Sequence, residues 1–376
     1  MRKRTSPPFR WLPDLPGLRL VQVRRWARVS DDDLVSIPPE EAVELHLDGL
    51  QDTAADWTEV GHRSHLRAWV EWCREEGGID SMNELTGRDI YEFRRWRREG
   101  GYSKGKDEIA PKTLHSALST VRAFLRTCAS IEAVPEDLYE RVQLPNLTRD
   151  QEVSDSWLPP ERVPPILDYL NNYEYASRDH VLWALVWHTG ARVGGIRALD
   201  LKDVELNGDE PGLSYRHRPG TGTPLKNDEQ GERYNRISRH VTEILRDYID
   251  GPRKDVTDEH GRSSLVTTAQ GRPSAGCIRD AFYRWTRPCF VGEGCPHDKD
   301  PDTCKHVEHD YMSGCPSARS PHDVRKGRVT KYRHDGVPRG VVADRLDCSE
   351  DILDKHYDRA NEREKASRRW EFINDD

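Results

Sequence analysis

The residues of this chain best suited to chemistry are a tyrosine, a histidine and two arginines that lie far apart in the sequence. Tyr357 supplies a phenol, His322 an imidazole, and Arg192 and Arg325 two guanidiniums. Arginine binds phosphate oxygens bidentately and stays charged at neutral pH, and a phenol of pKa about 10 attacks more readily when an imidazole accepts its proton. The set predicts metal-free cleavage of a phosphodiester, with Tyr357 as nucleophile, His322 as base and the arginines holding charge on phosphorus.

The order and spacing of these residues resemble the tyrosine recombinases, which include phage-type integrases and chromosome-dimer resolvases. Thr189-Gly190-Ala191-Arg192 matches the T-G-x-R segment of that family, and His322 with Arg325 matches its H-x-x-R segment. The match covers roughly residues 158–360, with a weaker echo over 40–145. It implies a site-specific recombinase that forms a 3′-phosphotyrosyl link, needs no catalytic metal, and acts on double-stranded DNA as a dimer or tetramer.

The resemblance also implies a lysine that protonates the departing 5′-oxygen. Leu225-Lys226-Asn227 precedes a turn-rich stretch and then Tyr234 to Ile237, which predicts a strand, a turn and a strand with Lys226 near the tip. Lysine suits the role of acid because burial readily lowers its pKa.

Two positions depart from the family pattern. Cys348 stands nine residues before Tyr357, where a histidine or tryptophan usually supports the phosphate, and a thiol is a weak donor. Gly195 stands where an acidic residue commonly orients the first arginine. Two rival interpretations therefore stay open: a type IB topoisomerase that uses the same residues, and a DNA-binding regulator of this fold with weakened chemistry.

Four of the catalytic candidates also have a plainer structural interpretation. Arg192 could be a cation at a helix C-terminus, Arg325 part of a solvated basic face, and Lys226 a surface lysine on a loop. Tyr357 could place its ring in the core of an amphipathic helix.

Composition narrows the setting of the protein. The chain has 376 residues, a net charge of -8, 35% hydrophobic and 33% charged residues, and no apolar run long enough to cross a bilayer. Its N-terminus lacks a signal core, so we expect a cytoplasmic protein with no membrane partner. Lysine is scarce among the 58 basic residues and aspartate-rich stretches recur, which favours a halophilic archaeal source.

The hydrophobic periodicity predicts a mainly α fold with a small antiparallel β-sheet, divided into two domains as in the tyrosine recombinases. A polar, proline-containing stretch without periodicity separates the two helical regions. The predicted division is a basic proline-rich tail at 1–37, a helical core-binding domain at 38–145, a linker at 146–158, and a catalytic domain at 159–376 with a cysteine-rich insert at 289–315 and a helical tail at 359–376.

Two helical surfaces are candidates for binding. The helix over 113–128 carries an apolar stripe, and its other face predicts DNA contacts through four residues: His115, Ser119, Arg122 and Arg126. A cationic helix face is also commonly just solvated. The tail at 359–376 either docks on a neighbouring protomer or packs on its own domain.

The insert contains four of the eight cysteines of the chain: Cys289, Cys295, Cys304 and Cys315. Clustered cysteines in a cytosolic chain indicate metal binding rather than disulfides. Zinc held by four thiolates, or by three and a histidine, would stabilise a segment too polar to build its own core. Reduced thiols without a metal are the alternative. No cofactor is expected for catalysis.

Overall fold

The structure is a computed structural model that describes residues 34–51, 56–103 and 105–356, together with positions 363, 366 and 370. Residues 34–51 and 60–145 form one compact unit, and residues 56–59 and 146–356 belong to a second. Most of the predicted basic tail, most of the C-terminal tail, and Tyr357 itself lie outside the described residues.

The first unit is helical and is built around one apolar core. Its main helices are α1 Pro39–Gln51, α2 Asp56–Trp72 from residue 60 onward, α3 Gly87–Arg98 and α4 Pro111–Ser130. Thr86 and Asp89 form a reciprocal capping box at the start of α3, and Pro111 occupies the first turn of α4, where its missing N–H costs no hydrogen bond. The aromatic centre of this core is Trp69 against Phe93, with ring centroids 4.9 Å apart.

The second unit contains the remaining helices and the only sheet of the described residues. The helices are α5 Arg149–Glu152, α6 Val163–Tyr173, α7 Arg178–Thr189, α8 Val193–Ala198, α9 Arg239–Asp250, α10 Ala275–Trp285, α11 Pro321–His334, α12 Arg339–Leu346 and α13 Glu350–His356. Helix α7 is apolar over residues 181–187 and runs through the core, where Leu182, Trp183 and Leu185 are fully buried. The predicted fold class, mainly α with a small antiparallel sheet, is confirmed.

The sheet has three antiparallel strands in the order β1 (Val204–Glu205), β2 (Gly212–Tyr215) and β3 (Arg233–Arg236). Leu213 of β2 pairs with Asn235 of β3. The prediction of a strand immediately before Lys226 is wrong. Strand β2 ends at Tyr215, and Lys226 lies exposed in the long connection between β2 and β3. Prolines and glycines in this connection limit pairing to an isolated bridge between Arg218 and Thr223, because proline cannot donate to a strand ladder.

The cysteine-rich insert contains only short 3₁₀ turns, at Pro288–Phe290, Lys305–Val307 and His309–Gly314. Met312 is the one apolar side chain within 289–315 that is fully buried. No helix among the described residues is both long and apolar enough to cross a membrane.

Candidate active site

The first arginine of the site is positioned by a tight turn between two helices. Helix α7 ends at Gly190, whose φ of 66° is left-handed and whose N–H donates to the carbonyl of Val186. Glycine adopts this conformation without a steric penalty. Arg192 follows in extended conformation as the residue capping the start of α8. Its side chain is partly exposed and donates from Nη1 to the backbone oxygen of Asp347 at 2.7 Å.

The second arginine is held inside the protein. Arg325 lies on α11 and is 1% exposed, so it is not part of a solvated basic face. Its Nη1 donates to the carbonyl of Gly190 at 2.7 Å and its Nη2 to the carbonyl of Leu346 at 3.0 Å. These bonds tie α11 to the turn that carries Arg192 and to the end of α12. The structure therefore brings the two predicted arginines into one region.

His322 lies in the first turn of α11, where the residue keeps an opening to solvent although protein atoms surround much of its imidazole. Ser320 and Asp323 form a capping box that fixes the start of this helix. Loss of hydration among the surrounding protein atoms, followed by the positive charges of Lys326 and Arg325, lowers the pKa of His322 to about 4. The imidazole is therefore neutral at pH 7, the form that can accept a proton.

Lys226 and Cys348 occupy the same region as the arginines. Lys226 lines a pocket with Arg192, although it does not stand at the tip of a tight hairpin as expected. Cys348 follows the end of α12, and burial raises the pKa of its thiol while Arg325 and Arg192 act in the opposite direction. The structure does not test the catalytic role assigned to any of these residues, and those roles stay predictions.

Three residues that line or adjoin this pocket were not assigned to the site by the sequence reasoning. Asp347 accepts a bond from Arg192 at its Oδ2, 3.0 Å away, and another from the amide of Asn227 at its Oδ1, 2.7 Å away. Arg233 of β3 lies 3.9 Å from the same carboxylate and stacks over the ring of Tyr215. The available signals were the positions of Asp347 beside Cys348 and of Arg233 beside Tyr234, but neither position indicates a direction in space.

The four residues of the predicted DNA-binding face of α4 differ in exposure and in their contacts. His115 and Ser119 are partly exposed. Arg122 donates to the carbonyl of Val142, which fixes the end of the first unit, and exposed Arg126 covers the ring of Tyr139 at 5.0 Å. Two of the four side chains thus have intramolecular partners, and their contacts with DNA remain predictions.

The cysteine cluster is a separate feature of the second unit. Cys289, Cys295, Cys304 and Cys315 are all unpaired, partly buried, and line one cavity of about 130 Å³. Among the described residues, no three Cys, His, Asp or Glu side chains are already placed so that they could hold a metal ion.

Comparison of the sequence with known proteins finds a relative over part of the chain. No family model matches the chain. A curated relative, the tyrosine recombinase XerC of Roseiflexus sp. (strain RS-1), is 26% identical over 172 residues, which make up 44% of this chain and 50% of that protein. The chain therefore spans about half the length of the curated relative that it matches.

Solved structures share the fold at low identity. The Tn1549 transposon integrase in complex with a circular intermediate DNA has a TM-score of 0.60 and 14% identity, covering 89% of this chain and 99% of that one. A lambda integrase dimer bound to a COC′ core site has a TM-score of 0.53 and 13% identity, covering 87% of this chain and 100% of that one. These likenesses show that the chain has the fold of these integrases, and its similarity to the curated tyrosine recombinase, at 26% identity over 44% of this chain, agrees with the resemblance drawn from the motifs.

Proposed function

We propose that this protein is a site-specific DNA recombinase that cuts and rejoins DNA through Tyr357. The observation that carries the proposal is the convergence of Arg192 and Arg325 on adjoining backbone segments, with Arg325 bonded to Gly190 and Leu346 and Arg192 to Asp347. Two fixed cations side by side suit a phosphate whose charge grows during attack. A purely structural pair of arginines would not need His322 and Lys226 in the same region.

The reaction proposed for these residues balances without a metal or ATP. The phenol oxygen of Tyr357 forms a bond to phosphorus and its proton passes to neutral His322. The bond from phosphorus to the 5′-oxygen breaks, and Lys226 donates a proton to that oxygen. The product is a 3′-phosphotyrosyl link and a free 5′-hydroxyl, and the hydroxyl of a partner strand reverses the step.

The proposed partners are double-stranded DNA and further copies of this chain. Strand exchange requires cuts in paired duplexes, so two or four protomers act together. The likeness to integrases solved with DNA supports this assembly. A halophilic archaeal source and structural zinc stay predictions beside it.

The test is covalent capture of DNA from a pool of nicked duplexes with randomised sequence. The nick lets the short fragment that carries the free 5′-hydroxyl diffuse away, so the reaction cannot reverse and the adduct is trapped. The wild-type protein is expected to form an adduct stable to denaturant, and Tyr357→Phe none. Tyr173→Phe is the matched control, since Tyr173 is 72% exposed and lies on α6.

Three outcomes would contradict the proposal in different ways. An adduct that persists in Tyr357→Phe would mean that another residue is the nucleophile. Specific DNA binding with no adduct in the wild type would favour the regulator. Relaxation of supercoiled plasmid without any exchange between captured sites would favour the topoisomerase.

A further inference from the structure

The four clustered cysteines line one small cavity together with two histidines. The cavity of about 130 Å³ is lined by Cys289, Cys295, Cys304 and Cys315, and by His297 and His306. The insert contains only 3₁₀ turns, so no helical or strand periodicity places these four cysteines on a common face. The fold of the loop itself gathers them.

A buried cation in the same wall indicates that whatever fills the cavity, together with the side chains that hold it, carries a net negative charge. Arg287 is 1% exposed, and among the described residues its Nη2 has no hydrogen-bond partner. Its Nη1 donates to the carbonyl of His306, and its guanidinium covers the ring of Phe290 at 3.8 Å. Lys299 also lines the cavity, and none of the lining residues is acidic. A buried guanidinium is costly unless a negative charge compensates it.

We propose that this cavity binds one structural zinc ion through the thiolates of Cys289, Cys295, Cys304 and Cys315. Four thiolates on one zinc leave a net negative charge, which Arg287 and Lys299 offset. The thiols are not yet in coordinating positions, so they turn into the cavity when the ion binds. A tetrahedral site with Zn–S distances of about 2.3 Å brings four sulfurs to one point.

Zinc binding would supply the insert with the folding free energy that its small apolar core does not provide. Met312 is its one fully buried apolar side chain, whereas a polar loop of this length needs another source of folding energy. The insert ends at Cys315, five residues before the Ser320 cap of α11. The zinc site therefore stabilises the segment that leads into the helix carrying His322 and Arg325.

The experiment uses the full-length chain, made in zinc-supplemented medium and purified without tag or chelator. Metal analysis and native mass spectrometry are expected to show one zinc per chain. Native alkylation with N-ethylmaleimide should spare the four cluster thiols until a chelator is added. The double variant Cys304→Ser with Cys315→Ser is expected to lose the zinc, and His306→Gln to retain it.

The matched control is Cys277→Ser, because Cys277 is partly exposed at the start of α10 and does not line the cavity. It should bind zinc as the wild type does. A reduced wild-type chain that contains no zinc and takes up neither zinc nor cobalt would overturn the proposal, as would full zinc content in the double cysteine variant. Zinc loss in His306→Gln would overturn the four-thiolate assignment.

A second inference comes from the carboxylate beside Arg192 and rests on the proposed function. Gly195 stands where the family commonly has an acid, and a Cβ at that position would lie 3.3 Å from the buried ring of Tyr215. A side chain at this position would require the ring of Tyr215 to shift by a few tenths of an ångström. Asp347 instead reaches Arg192 with both its backbone oxygen and its carboxylate, from a left-handed turn with φ of 53°.

We infer that Asp347 is the positioning residue for Arg192. Asn227 holds the other carboxylate oxygen at 2.7 Å, so the carboxylate is fixed from two sides. Asp347→Asn keeps the size and tolerates the left-handed turn but removes the charge. We expect its single-turnover cleavage rate to fall roughly tenfold to a hundredfold, the value of a hydrogen bond to a charged group. DNA affinity and the melting temperature should stay close to those of the wild type.

The control is Asp344→Asn, an exposed residue of α12, which should cleave at the wild-type rate. An Asp347→Asn protein that cleaves as fast as the wild type would overturn the inference, because the carboxylate would then have no effect on cleavage. Faster cleavage would overturn it as well, because the carboxylate would then compete with the phosphate for Arg192. Such a result differs from failure of the proposed function, in which the wild type itself forms no adduct.

Discussion

Arg192 and Arg325 donate hydrogen bonds to consecutive backbone carbonyls, those of Asp347 and Leu346. The distances are 2.7 Å from Arg192 Nη1 and 3.0 Å from Arg325 Nη2. The turn at the C-terminal end of α12 thus aligns two guanidiniums whose positions in sequence are far apart. A shift of this turn would move both cations together, so the geometry of the site depends on it.

We expect Arg325→Lys to lose both stability and DNA cleavage. A single ammonium cannot reproduce the two separate donations to Gly190 and Leu346, and an unmatched charge would remain in a side chain that is now 1% exposed. The free energy of unfolding should fall by about 1–3 kcal/mol, measured by denaturant titration. Arg239→Lys, at an arginine with a side chain 93% exposed, should change little. An Arg325→Lys protein of unchanged stability would contradict this account.

Gly190→Ala is expected to destabilise the second unit. Its φ of 66° is costly for alanine, and the added Cβ would lie 2.3 Å from Cδ2 of Leu346. We expect a loss above about 1 kcal/mol in unfolding free energy. Gly194→Ala is the matched control, because nothing lies within 4 Å of its Cβ position on α8. Equal stability of the two variants would show that the turn tolerates a side chain.

Asp200→Asn should cost more than any surface substitution. Asp200 is 2% exposed, and its carboxylate accepts bonds from Arg262 at 2.9 Å and Arg272 at 2.5 Å. Although burial acts the other way, these two arginines lower the pKa of Asp200, so it is charged at pH 7. Breaking a buried ionic cluster costs about 3–5 kcal/mol, which chemical unfolding would measure. Asp255→Asn, at a fully exposed side chain, should be neutral.

Stability should decline as the pH falls from about 6.5 toward about 4. Burial, followed by the charge of His240, lowers the pKa of His180 to about 4, whereas the unfolded chain binds its proton near pH 6.5. Between these values the unfolded state holds more protons, so acid favours unfolding. The contribution of His180 reaches up to about 3 kcal/mol at 1.36 kcal/mol per pKa unit.

His180→Gln should flatten this part of the curve of unfolding free energy against pH. The buried Nδ1 of His180 accepts a bond from the N–H of Ala176 at 3.2 Å, and a glutamine oxygen supplies a similar acceptor without titrating. Exposed His260→Gln should leave the slope unchanged. A curve of the same slope in His180→Gln would show that other groups cause the acid sensitivity.

The sequence determined the identity of the elements and of the chemical groups. Apolar periodicity was enough for the helix of the first unit over 113–128, which the structure extends to Pro111–Ser130, because burial on one face repeats every three to four residues. The order of the motifs was enough to select Arg192, His322 and Arg325 as candidates, because residue type and spacing can be read directly from the sequence. The lysine-bearing connection was predicted less well, since proline and glycine leave no period to read.

Only the tertiary structure decided which groups meet. The contact between Arg192 and Asp347 joins residues 155 positions apart, and the shared cavity of the four cysteines depends on how a loop without regular periodicity folds. Burial of Arg325 likewise follows from the packing of α11 against α7 rather than from its basic neighbours in sequence. Local sequence sets backbone preference within a few residues, whereas the position of a charged side chain depends on distant carbonyls and carboxylates that only the folded chain brings to it.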